Sequence, residues 1–323
     1  MNQDTDPSEA NAAMMERSDD PCPLCGTRDD DNVLTGRDLL HGLPGEFQVV
    51  RCRHCRLMRT NPRPTPRAMA YYYPSGYGPY LATRALPVPS GAGLMRRLSK
   101  RFIDFRTHSI PPLKPGRLLE IGCASGAYLQ LMQQQGWEAE GIEVSPESCA
   151  WAQAQGLKVR QSTLETAEEP DHTFDLITAW MAIEHLHDPV RSLERLRSWT
   201  RPGGWLAFSI PNAASLEFRV FGEYWHALHL PCHLFHFTPA TISQLLARTG
   251  WKMERILHQR LIHNVPLSLG QRLEARRPSS RLGRALLSVD QKGLTFSLAQ
   301  YPVALLAAAF GQTGRMTLWA RRS

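Results

Sequence analysis

The chain has 323 residues, of which 42% are hydrophobic, and its 37 Lys or Arg against 30 Asp or Glu leave a formal net charge of +7. That length suits two domains or one elaborated domain. The acidic, polar start contains no apolar leader, and no apolar run reaches the roughly twenty residues that a membrane span needs, so neither export nor a spanning topology is expected.

Residues 1–19 are expected to be a disordered acidic tail. Cys22-Pro23-Leu24-Cys25 and Cys52-Arg53-His54-Cys55 then form two C-x-x-C knuckles, separated by the strand-like Phe47-Gln48-Val49-Val50. This spacing reads as a small zinc ribbon over 20–65, with Cys22, Cys25, Cys52 and Cys55 as ligands of a structural Zn2+. Four thiolates close the coordination shell, and zinc contributes on the order of 10 kcal/mol to folding such a segment. His54 is not counted as a ligand. Cys123, Cys149 and Cys232 stand apart as ordinary buried or half-buried thiols, and a reducing cytoplasm is expected. The connector, 66–110, carries Tyr71 to Tyr80, too rich in proline and glycine for a regular element. Its tyrosines suit either a sugar or the packing of the ribbon against its neighbour.

From residue 111 the pattern is alternating α/β. Leu118-Leu119-Glu120-Ile121 is an apolar strand, followed by the glycine-rich turn Gly122-Cys123-Ala124-Ser125-Gly126 and a helix with Tyr128, Leu129, Leu131 and Met132. Glycines at such a turn let the backbone approach a ligand closely, and the carboxyl edge of a parallel sheet is where open α/β folds bind cofactors. The next strand, Glu138 to Glu143, ends in an acid placed for ribose hydroxyls. Ser145-Pro146 opens a helix that Gly156 stops. Phe174 to Trp180 is a further strand, and Glu184-His185-Leu186-His187-Asp188-Pro189 leads into a helix with Val190, Leu193 and Leu196 on one face. Arg201-Pro202-Gly203-Gly204 is expected to end that helix before a strand at Trp205 to Ile210. Thr238-Pro239 caps another helix, and Met316 to Ala320 supplies a last strand.

This order resembles the class I methyltransferases that use S-adenosyl-L-methionine, whose first motif is an apolar strand, an acid and G-x-G-x-G; here Ala124 replaces the middle glycine. The E-H-L-x-D-P and P-G-G stretches are similar to the branch that modifies small molecules and glycans. The resemblance implies a Rossmann-like seven-stranded methyltransferase sheet over 111–323, preceded by the small N-terminal zinc ribbon. It further implies Gly122, Ala124 and Gly126 under the cofactor's amino-acid end, with Glu120 orienting that loop. Glu143 is implied at the ribose, and Thr163-Leu164-Glu165 beside the adenine. A Rossmann dinucleotide motif fits poorly, because its spacing is G-x-G-x-x-G.

Phe221-Gly222-Glu223-Tyr224-Trp225 through Pro231-Cys232-His233-Leu234 is similar to polysaccharide-cluster methyltransferases, in which this stretch lies over the active site. Ribbon-bearing relatives of this kind include sugar C-methyltransferases. Four histidines fall between His226 and His236, but no carboxylate or evenly spaced ligand set accompanies them in the sequence. His185 and His233 are taken as candidate general bases.

Between Arg255 and Ser323 there are eleven Lys or Arg and two acids. An insertion at about 258–310 is therefore expected either to lie peripherally on an anionic membrane surface or to form a lid with a solvated basic face. The sequence thus points to methyl transfer to a sugar or glycan intermediate, lipid-linked ones included, by a cytoplasmic enzyme that can associate with membranes. The alternatives are an RNA methyltransferase, a quinone-type small-molecule O-methyltransferase, and a binding module that kept the fold without catalysis. Nucleic acid is the less favoured partner.

Overall fold

The computed structural model describes residues 20–73, 108–288 and 293–323. The acidic tail, the tyrosine-rich stretch beyond Tyr73 and most of the connector lie outside them.

Leu118, Leu119, Leu176, Ile177 and Ala179 are all fully buried, as strands covered on both faces require. They belong to β4 (Arg117–Ile121) and β7 (Phe174–Trp180), the middle of a seven-stranded sheet. Its order is β10-β11-β8-β7-β4-β5-β6, with β5 (Glu138–Glu143), β6 (Lys158–Gln161), β8 (Thr200–Pro211), β10 (Trp251–His258) and β11 (Arg315–Arg322). Pairing is parallel from β6 across to β8, and β11 runs antiparallel to both β8 and β10.

Successive side chains of a strand face opposite sides, so Leu118 and Leu119 enter different cores. Leu118 packs with Leu129 and Met132 of α1 (Ala127–Gln134) and with Cys149 and Ala152 of α2 (Pro146–Ala154). Leu119 packs with Leu193 and Leu196 of α3 (Pro189–Trp199); later in the chain, Ile242 and Leu245 of the helix Pro239–Arg248 join that core. Burying each such leucine stabilises the fold by about 1.5–3 kcal/mol. The helix starts follow the sequence: Ser145, Asp188 and Thr238 accept from backbone amides of their first turns, each with proline just after.

One boundary differs. The Arg201–Gly204 segment does not separate α3 from its strand, because β8 already begins at Thr200, opposite Phe174. The next pair is Leu176 with Trp205, and Gly203 takes a φ of +74° within the intervening bulge.

The N-terminal region forms a second sheet, β1 (Asp30–Gly36), β2 (Phe47–Cys52), β3 (Met58–Thr60) and β9 (Phe235–His236). The fourth strand comes from the histidine-rich segment: Met58 pairs with His236 and Arg59 with Phe235. Phe47, Val49 and Tyr72 share a core with Trp225, Leu228 and Leu230. Between β8 and β9 lies α4 (Leu216–Phe221), and the helix Pro239–Arg248 that follows β9 is α5.

Between β10 and β11 stand α6 (Asn264–Arg276), α7 (Arg281–Leu287) and α8 (Gly293–Ala309). On α8, Gln300 and Ala304 are buried, whereas Val303 and Leu306 are exposed, as is Phe310 just beyond it. Among the described residues no helix is long and apolar enough to cross a membrane. One buried carboxylate joins this region to the rest. Glu217 of α4 accepts from the Trp225 indole at 3.2 Å, the Asn264 amide at 3.1 Å and the Gly314 backbone at 3.0 Å. Glu217→Ala leaves three donors without that acceptor and is expected to cost about 3 kcal/mol. The measurement is a lowered denaturation midpoint at unchanged m; a loss within 0.5 kcal/mol would refute the linking role.

Candidate active site

The carboxyl ends of β4, β5 and β7 meet at the glycine-rich turn. Gly122 and Cys123 donate to the carbonyl of Ile142, at 2.9 and 3.3 Å, which ties the turn to β5. Gly122, Ala124 and Gly126 have φ of +68°, +47° and +81°. This is the left-handed region that glycine enters freely and alanine at a cost. Glu143 secures the conformation: one carboxylate oxygen accepts from Ala124 N–H at 2.7 Å and the other from Ser145 N–H at 2.8 Å. Burial pushes the Glu143 carboxyl up from its usual range, and these backbone donors oppose that shift.

Glu120, 3% exposed, lies beneath this turn. Burial, and then the neighbouring Glu143, push its carboxyl well above the ordinary range. Its Oε2 has no hydrogen-bond partner among the described residues. A buried oxygen left in this way is costly, and a cationic amine of a ligand resting on the turn would satisfy it. The group implied by the sequence therefore fits the residues present. The Thr163–Glu165 segment is a turn closed by Ala167 N–H on the Thr163 carbonyl. Leu164 is buried in the core of the α3 face, and Glu165 is exposed.

The histidines gather at the end of β7. A Cβ on Gly122 would lie 3.4 Å from Ala182 Cβ, so the glycine turn borders the residues that lead to Glu184 and His185. Leu234 N–H donates to the Glu184 carbonyl at 2.9 Å, which draws the histidine-rich segment onto this edge. The His185 and His233 rings then stand 4.6 Å apart. His185 Nδ1 lies 2.9 Å from the Cys232 carbonyl and 2.7 Å from the Tyr73 hydroxyl. His233 Nδ1 lies 2.9 Å from the Ala227 carbonyl. A carbonyl can only accept, so both Nδ1 atoms carry hydrogen and both Nε2 atoms keep a lone pair. Burial holds both rings neutral, with His185 pushed down to about 4.

The sequence did not reveal the acid beside them. Glu184 is fully buried, with neither carboxyl oxygen hydrogen-bonded among the described residues and Oε1 3.9 Å from His233 Nε2. Burial raises its carboxyl to about 8. The expectation that no carboxylate accompanies these histidines is therefore corrected: sequence spacing could not show it, because Glu184 arrives from the opposite end of a loop crossing. The Glu-His adjacency at a strand end was its one visible trace.

The four knuckle cysteines also converge. Cys22 and Cys55 sulfurs lie 3.4 Å apart, Cys25 and Cys52 3.5 Å, and one sulfur from each falls within 4.8 Å of the others. No disulfide joins them, and the set could hold a tetrahedral metal ion. His54 is exposed and outside the set.

Gly126→Ala tests the turn. Besides its φ of +81°, a Cβ there would meet Leu157 Cδ1 at 2.3 Å and Ala152 Cβ at 3.2 Å. Loss of at least about 1–2 kcal/mol of stability is expected, with weakened cofactor binding. Glu143→Ala frees the Ala124 amide and should weaken cofactor binding at least tenfold by calorimetry; unchanged affinity would refute the assignment.

Residues 94–256, about half of the chain, match the methyltransferase domain family. Among curated proteins, the chain is 32% identical over 141 residues to a ubiquinone biosynthesis O-methyltransferase of Paraburkholderia phymatum, covering 41% of this chain and 59% of that protein. It is 30% identical over 117 residues to the protein of the same name from Paracidovorax citrulli, covering 34% and 49%. The chain thus spans about half the length of these relatives. Among solved structures, an S-adenosylmethionine-dependent methyltransferase of Mesorhizobium loti aligns over 66% of this chain and 94% of its own, at 18% identity and a TM-score of 0.43. The family match covers the glycine turn, Glu143 and the Glu184-His185 edge, and on it the chain belongs to the methyltransferase domain family.

Proposed function

We propose that the acceptor is a hydroxyl of a sugar or glycan intermediate, lipid-linked ones included. The observation that carries this reading is the pairing of β3 with β9, which makes the N-terminal sheet a wall of the histidine cluster. The Tyr73 hydroxyl, held on His185 Nδ1, and the His185 and His233 imidazoles give that wall a polar character suited to a sugar. The bound cofactor supplies an activated methyl group on a sulfonium. The chain's own residues hold the cofactor at Glu120, Gly122, Ala124, Gly126 and Glu143, orient the acceptor and exclude water. His185 and His233 position the acceptor hydroxyl and align its oxygen toward the methyl group.

The cysteine cluster, in this reading, holds a structural Zn2+ that fixes the N-terminal sheet. The exposed Val303, Leu306 and Phe310, in a region rich in arginine, suit peripheral contact with an anionic membrane. The names of the curated relatives favour a second reading, O-methylation of a quinone precursor.

Methyl-labelled cofactor supplied with a fractionated cell extract separates the two. Label in nucleotide-sugar or lipid-linked glycan fractions is expected; label confined to quinone precursors or to RNA would overturn the sugar assignment. His233→Ala should lower kcat about a hundredfold or more while cofactor Kd stays constant. Cys52→Ser should abolish zinc binding and lower thermal stability, and a metal-free wild-type protein of normal stability would contradict the zinc assignment.

A further inference from the structure

We propose that Glu184, His185 and His233 form a second metal site, distinct from the cysteine cluster, which takes one divalent first-row cation of borderline softness, such as Zn2+ or Co2+. The proposal rests on methyl transfer to a hydroxyl acceptor only for its purpose; the site itself is argued from geometry.

One donor atom from each of the three residues lies within 4.8 Å of the others. Metal bonds of about 2.0–2.2 Å to nitrogen and oxygen place neighbouring donors about 3.0–3.5 Å apart. The separation of 3.9 Å between His233 Nε2 and Glu184 Oε1 therefore needs a contraction below 1 Å. Both imidazoles have one nitrogen committed to the backbone. Each donates Nδ1–H to a backbone carbonyl, of Cys232 and of Ala227, which fixes the tautomer with the Nε2 lone pair available. The His229 Nδ1 contact to His233 Nε2, long at 3.4 Å, is the interaction that an ion would displace.

Glu184 supplies the independent observation. A carboxyl at 0% exposure, with neither oxygen hydrogen-bonded among the described residues and only the Arg315 charge acting to favour its ionised form, is a costly arrangement for a protein that gains nothing from it. A divalent cation taking the place of the carboxyl proton satisfies both oxygens. Two imidazoles and one carboxylate leave coordination positions open. Ala182, against the glycine turn, is two residues from Glu184, so the ion would sit at the boundary between cofactor and acceptor. An acceptor oxygen bound there has its pKa lowered. The histidines then orient the acceptor through the ion rather than by direct contact.

The test uses full-length protein loaded with Zn2+ at the cysteine cluster and titrated with Co2+ alone. Weak d–d bands without thiolate charge transfer, saturating at one equivalent, are expected. Glu184→Gln, nearly isosteric, and His233→Ala should each weaken Co2+ binding at least tenfold, with circular dichroism unchanged. Absence of such bands in the wild-type protein, only thiolate charge-transfer bands, or equal Co2+ affinity in folded Glu184→Gln would overturn the site. Label transfer to the sugar fraction by metal-stripped protein would leave the methyl-transfer reading standing and remove the ion from it.

Discussion

A single buried carboxylate holds the glycine-turn end of the molecule in shape. Glu143 receives the Ala124 amide on one oxygen and the Ser145 amide on the other, so the turn after β4 and the start of α2 share one anchor. Without it, Ala124 would keep the cost of its left-handed backbone and lose its compensation. The same two bonds fix the amino end of α1 relative to β5. The glycines supply the conformational freedom, and the acid selects one conformation from it.

The histidine end is held differently. There the sheet edge contributes only the start of the site, at Glu184 and His185, and the remainder comes from a segment that has almost no regular structure. That segment is kept in place from two sides. Leu234 N–H binds the Glu184 carbonyl, while the Leu234 and His233 carbonyls receive Thr60 N–H at 3.0 Å and the Thr60 hydroxyl at 2.7 Å. Thr60 is the last residue of β3, so the N-terminal sheet and the catalytic sheet grip the same few peptides. A change in the N-terminal region is therefore transmitted to the histidines through the backbone and hydroxyl of one residue, Thr60.

Much of this was legible in the sequence because of where the signals come from. Central parallel strands must be apolar on both faces, and Leu118-Leu119 and Leu176-Ile177 announce themselves for that reason. Caps at Ser145 and Thr238 are local hydrogen-bond chemistry and were read correctly. Non-local pairing was not legible. Pro202-Gly203-Gly204 reads as a breaker, and only its position against β7 makes it a bulge inside β8. Phe235-His236 has no strand signature, since two residues carry no period; it is a strand because β3 lies beside it. Glu184 was visible as a letter, but its proximity to His233 depends on one long-range backbone bond.

The position of β11 has a consequence for how such a chain is made. Residues 315–322 lie between β8 and β10, both of which leave the ribosome earlier. Until that last strand arrives, β8 and β10 each present an unpaired edge, and the Glu217 carboxylate lacks the Gly314 amide. During vectorial synthesis the sheet therefore waits half-open for β11, and strand insertion closes it in one step. Such a nascent chain has reason to be shielded by chaperones for as long as α6, α7 and α8 take to be translated.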